Sequence, residues 1–296
     1  MISCRLIGIN IDKSSAPSFH NQLANELSLS LDYQLSPLSE PEFSVFENCV
    51  KFQLSQNVNA MNITFPYKEM AIKVANWIDH SAKVVGAANT LIYHNKKLLA
   101  YNTDYTGFIQ AFRQSSINKP GKVVVIGCGG VGKAVIHGLI ALQASEIIIY
   151  EQDTEKAEHF LHTLPLKNRQ VKVINKTLLE SAVRSANGVL NCTPIGHHNY
   201  SGIPILAEWL DKQQWVFDAV YTPIETAFIQ EAKGKGIKTL SGFELFFHQA
   251  VDAFKLFIQH DPSISTCVSR NPYPYRNQSI SEQQLQAFRD QHFSQN

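Results

Sequence analysis

The chain has 296 residues, enough for about two domains with sizeable cores. Its 26 basic and 25 acidic residues leave a formal charge of +1, which gives no electrostatic reason to expect nucleic acid or an anionic membrane as partner. No apolar run reaches the roughly 18–20 residues that span a bilayer, and the five scattered cysteines, Cys4, Cys49, Cys128, Cys192 and Cys267, form no C-x-x-C pair, which favours reduced thiols in the cytoplasm over disulfides or zinc.

The N-terminus, Met1 to Gly8, reads as part of a short strand and not as a signal peptide, the strand proper running over 5–10. A loop over 12–18 follows, then a helix from Pro17 or Ser18 with Phe19, Leu23 and Leu27 at i, i+4 and i+8. A second strand is predicted over 31–35 and a less distinct helix over 41–54. The stretch Asn59-Ala60-Met61-Asn62-Ile63-Thr64-Phe65-Pro66-Tyr67-Lys68 ends a strand and puts Pro66 at the head of a helix running through Trp77. Lys68 then falls in a first helical turn, where the helix dipole mildly disfavours a cation, so solubility alone accounts poorly for it. Gly86-Ala87-Ala88-Asn89-Thr90-Leu91 leads into a hairpin that turns at His94-Asn95-Lys96 and returns over 97–101. Residues 102–107 cap a helix over 108–114, and a plain N-cap is the structural role available to Asp104. A polar connection over 115–121 places the domain boundary between Gly107 and Lys119.

The run Lys122-Val123-Val124-Val125-Ile126 is too apolar and β-branched for a surface element and reads as a buried parallel strand. It enters Gly127-Cys128-Gly129-Gly130-Val131-Gly132, which fits G-x-G-x-x-G. A helix over 133–143 follows, with Ala134, Val135, Leu139, Ile140 and Leu142 on its buried side, then a strand over 146–150 that ends at Glu151. This is the strand, glycine turn, helix, strand and acid order of a dinucleotide fold. The glycines permit the tight turn and a close approach of pyrophosphate to backbone, and the helix N-terminus offers free N–H groups to the diphosphate. A glycine-rich turn in some other α/β protein would require all these features to coincide. Beyond it, a helix over 155–163, a strand over 171–174, a strand entering a turn over 188–196, strands over 214–220 and 238–240, and a helix over 244–260, apolar nearly all round and packing back onto the first domain, complete the predicted architecture. The tail from Ser263 is polar and proline-punctuated, with a short helix predicted over 281–288 and partial disorder expected.

Several of these stretches together resemble the shikimate dehydrogenase family, in its quinate/shikimate branch, over residues 5 to about 262. They are Ser14-Ser15-Ala16-Pro17, Asn62 through Lys68, Gly86 through Thr90, Asn102-Thr103-Asp104, the Gly127 loop, Asn191-Cys192-Thr193-Pro194 and Gly242 through Gln249. The resemblance implies an α/β fold with an N-terminal substrate-binding catalytic domain (1–107, completed by 243–262), a Rossmann-type NAD-binding domain (108–242), a cleft between them and a tail (263–296). It implies reversible, nicotinamide-dependent oxidation of a ring hydroxyl in a cyclic polyol carboxylate such as shikimate or quinate, in a cytoplasmic monomer or homodimer with no nucleic-acid or membrane partner and no metal. It carries the catalytic lysine to Lys68, its aspartate partner to Asp104, and substrate contacts to Ser14, Thr64, Asn89, Tyr221 and Gln249. The cofactor set is Gly127, Gly129, Gly130, Gly132, Glu151, Thr193 and Gly242.

The chemistry is consistent with these types. Lysine is a poor base near pH 7 at its reference pKa of about 10.4, and burial beside a cationic nicotinamide favours its neutral form while Asp104 favours the charged one. An ion pair at ~4 Å and an effective dielectric near 20 is worth about 4 kcal/mol, so Asp104 alone would hold Lys68 protonated. Glu151 should bind ribose hydroxyls and repel a 2′-phosphate; NADP-using relatives typically carry Asn-Arg-Thr there, whereas Lys156 is the lone cation over 150–156, so NAD is expected and NADP less so. Ala16 departs from the family pattern, which has a second hydroxyl residue holding the substrate carboxylate, and this leaves room for a related cyclic polyol acid as substrate. A non-enzymatic sensor of the same fold is the reading from another class, and the pair Lys68 and Asp104 speaks against it. His197-His198 lacks companion metal ligands, and Cys128 fills a place that needs a small residue.

Overall fold

The computed structural model describes residues 2–164, 170–260 and 280–293. The chain divides into two compact units, Met1–Thr103 with Ala250–Asn296, and Asp104–Gln249. Each is built on its own six-stranded sheet.

In the first unit the strands are β1 (Ile2–Gly8), β2 (Leu31–Pro37), β3 (Ala60–Ile63), β4 (Trp77–Ile78), β5 (Thr90–His94) and β6 (Lys97–Tyr101), in the order β2-β1-β3-β5-β6-β4. β1 pairs in parallel with β2 and β3, Cys4 lying opposite both Tyr33 and Ala60. β5 and β6 form an antiparallel hairpin. Its two turn residues, Asn95 and Lys96, have φ of 50° and 62°, the left-handed pair that matches the twist of the flanking strands. The helices are α1 (Ala16–Glu26), α2 (Phe43–Ser55), α3 (Lys68–Val74) and α4 (His80–Val85). On one side of the sheet Ile7, Phe46, Val50, Met61, Ile63, Tyr67 and Leu91 form a core, with the Phe46 and Tyr67 rings stacked at 5.0 Å. Phe254 and Phe257, from the second half of a long helix, meet His20 and Tyr33 in an aromatic cluster. Stacked 4.7 Å from Tyr33, His20 is pushed down to about 3 by burial and stays neutral.

The second unit holds a wholly parallel sheet of β7 (Lys122–Ile126), β8 (Glu146–Tyr150), β9 (Val171–Ile174), β10 (Gly188–Asn191), β11 (Trp215–Asp218) and β12 (Lys238–Ser241), in the order β12-β11-β10-β7-β8-β9. Its helices are α5 (Thr103–Gln114), α6 (Gly130–Ala141), α7 (Thr154–Thr163), α8 (Leu179–Arg184), α9 (Ala227–Gly234) and the start of α10 (Gly242–Gln259). Val123 and Val125 belong to one core, Val124 and Ile126 to another. That two-sided burial is why β7 reads as an unbroken apolar run. The chain leaves β7 in one direction through β8 and β9, then returns to its other side with β10, β11 and β12. In such sheets the ligand crevice opens at that reversal, at the carboxyl ends of the strands.

Several boundaries differ from the sequence expectation. α3 ends at Val74 and Trp77 lies in β4, because Asn76 bonds to Leu98 through both its backbone N–H and its side-chain oxygen (2.8 Å each), drawing the segment onto β6. α5 starts at Thr103, which puts Asp104 inside its first turn and not at the N-cap. α6 starts at Gly130, so the last glycines of the loop are already helical. α4, α8 and α9 are additional short helices. The predicted tail helix is α11 (Glu282–Phe293), whose Phe288 meets Phe19 edge-on at 5.3 Å. Of the tail from Ser263, for which partial disorder is expected, residues 263–279, with Cys267, and 294–296 lie outside the described residues.

Candidate active site

In the first unit the predicted substrate residues collect at the ends of β1, β3 and β5. Thr64 N donates to Ile7 O and Ile9 N to Phe65 O, which ties the two strand ends together. Gly8 lets them close: a Cβ there would lie 2.2 Å from the Thr64 methyl. Ser14 follows on the loop after β1, its hydroxyl accepting from Ala16 N at 3.3 Å. Lys68 is the first residue of α3, and its carbonyl accepts from Ala88 N at 2.8 Å, next to Asn89.

Asn89 is buried and makes a clasp. Its Oδ1 accepts from Thr103 N at 2.7 Å, and its Nδ2 donates to the Thr103 hydroxyl at 2.9 Å. The first N–H groups of a helix have no partner within it, and here Asn89 supplies one to α5 from a distant strand. Asn62 supports the clasp by donating to Asn89 O and the Thr90 hydroxyl, and is itself held by the Tyr33 hydroxyl at 2.9 Å. Asn102 adds two anchors, N to the Ser81 hydroxyl and Nδ2 to Ala87 O. Asp104 is the next residue after Thr103.

In the second unit Asp104 is buried, and its charge contributes, after burial itself, to pushing the Tyr221 hydroxyl up to about 12. Tyr221 stacks on Phe246 at 4.7 Å. One turn along α10, Gln249 meets α5 at Gly107, where a Cβ would come within 2.6 Å of Gln249 N. Asp104 and Tyr221 are thereby brought together, and Gln249 lies against α5 at Gly107.

The glycine loop follows β7. Gly127 has φ +94°, and a Cβ on Gly132 would be 2.3 Å from Gly127 O, so the turn closes only without side chains at both. Gly129 differs: nothing lies within 4 Å of a Cβ there. The space over it, beside the α6 N-terminus, is the open cradle a diphosphate requires. Glu151 Oε2 accepts from Cys128 N at 2.8 Å and lies 3.8 Å from Lys156 Nζ, which fixes the carboxylate at the end of β8. Thr193 follows β10, and Gly242 packs against β11, where a Cβ would be 2.5 Å from Ala219 O. The residues fit a dinucleotide.

One feature of the second unit escapes sequence reasoning. Asp218, fully buried at the end of β11, accepts from Asn191 Nδ2, Val220 N and the Thr226 hydroxyl at 2.9, 3.0 and 2.6 Å. The signal was faint: one acid closing the apolar run Trp-Val-Phe-Asp. Burial pushes Asp218 up to about 6 against those three donors. Burial also raises the Cys192 thiol well above its usual range, which removes it as a nucleophile. Among the described residues no group of three or more His, Cys, Asp or Glu side chains could hold a metal, and no helix is long and apolar enough to cross a membrane.

The chain is 32% identical over 260 residues to a protein named shikimate dehydrogenase (NADP(+)) from Clostridium botulinum, covering 87% of this chain and 96% of that one. It belongs to the shikimate dehydrogenase family. The family's substrate-binding domain model matches residues 6–91, and a saccharopine dehydrogenase NADP binding domain model matches residues 123–222. A Corynebacterium glutamicum family member named quinate/shikimate dehydrogenase (NAD(+)) is 30% identical over 266 residues, 88% of this chain and 94% of that one. The solved quinate dehydrogenase from Corynebacterium glutamicum in complex with NAD superposes with a TM-score of 0.81 at 29% identity, over 86% of this chain and 93% of that one. The family therefore accounts for both sheets and for the glycine loop.

Two outcomes test the loop and the buried acid. Gly129→Ala should lose less than about 1 kcal/mol of stability, as a modest change of cap, yet weaken dinucleotide binding about tenfold or more. Gly132→Ala should lose roughly 1–3 kcal/mol through overpacking. Urea unfolding alongside fluorescence titration with NADH separates them, and unchanged NADH affinity in Gly129→Ala would remove the cradle. Asp218 has a folded pKa raised from 3.8 to about 6, so its protonated form favours folding; that contribution is complete below about 3.8 and lost as pH rises through about 6. Relative to the wild type, Asp218→Asn should gain about 3 kcal/mol between pH 3.5 and 7.5, read as the difference of two urea curves at each pH.

Proposed function

We propose that this chain catalyses the reversible, NAD(P)-dependent oxidation of a ring hydroxyl of shikimate or quinate to the 3-dehydro ketone, with NAD preferred. The observation that carries this reading is the clasp of Asn89 on Thr103. It fixes the strand end beside Lys68 in the first unit; within the second unit, the charge of Asp104 acts on Tyr221, and Gln249 packs against Gly107 of the same helix, α5. When bound, the nicotinamide supplies the hydride acceptor. Lys68 takes the hydroxyl proton during oxidation and returns it during ketone reduction. Asp104 accepts from a neighbouring substrate hydroxyl. Tyr221, with its pKa near 12, stays protonated across the working range and so remains a donor. Thr64, Asn89 and Gln249 offer neutral donors and acceptors to a polyol, and Ser14 offers a hydroxyl to its carboxylate.

The preference for NAD rests on Glu151. With its carboxylate held at Cys128 N, a 2′-phosphate at the end of β8 would meet a negative charge. Lys156 is the nearby cation and is paired with that same carboxylate. The relatives divide on the point, the Clostridium botulinum protein being named for NADP(+) and the Corynebacterium glutamicum one for NAD(+).

A second reading, a dehydrogenase of a related cyclic polyol acid, is favoured by Ala16. A hydrogen bond to a charged carboxylate is worth roughly 1.5–3 kcal/mol, or about ten- to over a hundredfold in affinity. This loop offers Ser14, with Ala16 where the family pattern has its second hydroxyl residue.

Lys68→Ala should lose most of kcat, on the order of a hundredfold or more, with a modest change in KM. Asp104→Asn should lower turnover while costing under about 1 kcal/mol of stability as the first-turn charge is removed; a variant that only melted earlier would reduce Asp104 to a helix-end residue. NADH or NADPH formation from shikimate, quinate and close analogues decides substrate and cofactor together. Comparable kcat/KM with NADP would overturn the preference for NAD, and turnover of an analogue alone would favour the second reading.

A further inference from the structure

Two turns leave the nucleotide-binding sheet side by side, over 192–196 after β10 and 219–222 after β11, and a single carboxylate oxygen joins them. Asp218 Oδ1 accepts from Val220 N at 3.0 Å, which shapes the second turn, and from Asn191 Nδ2 at 2.9 Å. Asn191, fully buried, shapes the first turn: its Oδ1 accepts from Thr193 N at 3.0 Å and from the Thr193 hydroxyl at 2.7 Å, while its Nδ2 also donates to Ile195 O. With Asp218 as acceptor, the amide of Asn191 has one orientation that satisfies every contact. Ala219 N bonds back to Asn191 O at 2.8 Å, and Gly242 closes over Ala219 O. Thr193, Tyr221 and Gly242 thus all hang on the segment that Asp218 organises. Stability does not explain a carboxylate here, since burying it opposes folding.

The position in the sheet says what the clamp serves. In a doubly wound sheet each half takes one mononucleotide at its strand ends. Glu151 and the glycine loop belong to the β7–β9 half, which leaves the β10–β12 half for the nicotinamide mononucleotide. We propose that Asp218 is a positioning residue for dinucleotide binding, holding these two turns, through Asn191 and the Val220 amide, in the form that receives the nicotinamide half. This rests on the reading of the chain as an NAD(P)-dependent enzyme.

The test uses the full-length protein with Asp218→Ala and Asp218→Asn. The asparagine keeps an oxygen for both the Asn191 and Val220 donors; the alanine removes it. Asp218→Ala should weaken NADH binding, titrated by fluorescence on folded protein, about tenfold or more and raise KM for the dinucleotide while kcat at saturation falls less. Asp218→Asn should restore NADH affinity to within about threefold of the wild type. A folded Asp218→Ala that binds NADH as the wild type does, whatever its melting temperature, overturns the proposal. Should that variant fail to fold, amide exchange in the dinucleotide-free wild type decides: protected amides at Thr193 and Val220 support preformed turns, and fast exchange at both overturns them. A wild type that binds neither NADH nor NADPH would remove the functional reading itself and this proposal with it, a result distinct from an unaffected alanine variant.

Discussion

A polar group withdrawn from water has to find its partners inside the protein, and that requirement shapes a strand end in each of the two units. Asn89 is buried at a strand end, and its side-chain oxygen takes the N–H of Thr103 at the start of α5. Meeting that need fixes where Thr103, and hence Asp104, enters the helix. Asp218 is buried at the end of another strand, and its need for donors draws in Asn191, Val220 and Thr226. In each case a network with most of its members satisfied costs little, whereas a missing partner would cost about 1–3 kcal/mol. Such networks have few alternative arrangements, so they hold reactive side chains on otherwise adaptable turns.

Backbone crowding works beside this. Gly127, Gly132, Gly8 and Gly242 stand where a methyl group would strike a neighbouring chain, while Gly129 stands where it would meet nothing in the protein. The first four are explained by packing. The fifth is not, and the absence of a side chain there leaves room for something outside the protein. A glycine with nothing to collide with is therefore the more informative member of the motif.

Much of this was legible from residues alone. β7 and β8 fall on the predicted residues because two-sided burial demands an unbroken apolar run. The hairpin turn was legible because Asn95 is tolerant of the left-handed region. The pattern over 66–77 favoured one long helix, yet pairing of Asn76 with Leu98 ended it at Val74. α4 and α9 carry little sequence signal although Asp79 and Thr226 cap them with side-chain oxygens; helices of six to eight residues bury too narrow a stripe for periodicity to register. Asp218 could be noticed only as an acid ending an apolar strand, since its partners Asn191 and Thr226 stand 27 and 8 residues away.

By itself, the order of residues determined what is local: strand burial, the glycine turn with its acid, the turn-forming pairs, and motif types whose spacing identifies the family. These depend on backbone sterics and on alternation over a few positions, which short segments carry intact. Only the tertiary structure decided which distant polar groups satisfy one another. Asn89 with Thr103, Tyr33 with Asn62, and Asp218 with Asn191 are pairs that chain distance does not reveal. Their partnership exists because packing removes the water that would otherwise serve each of them alone.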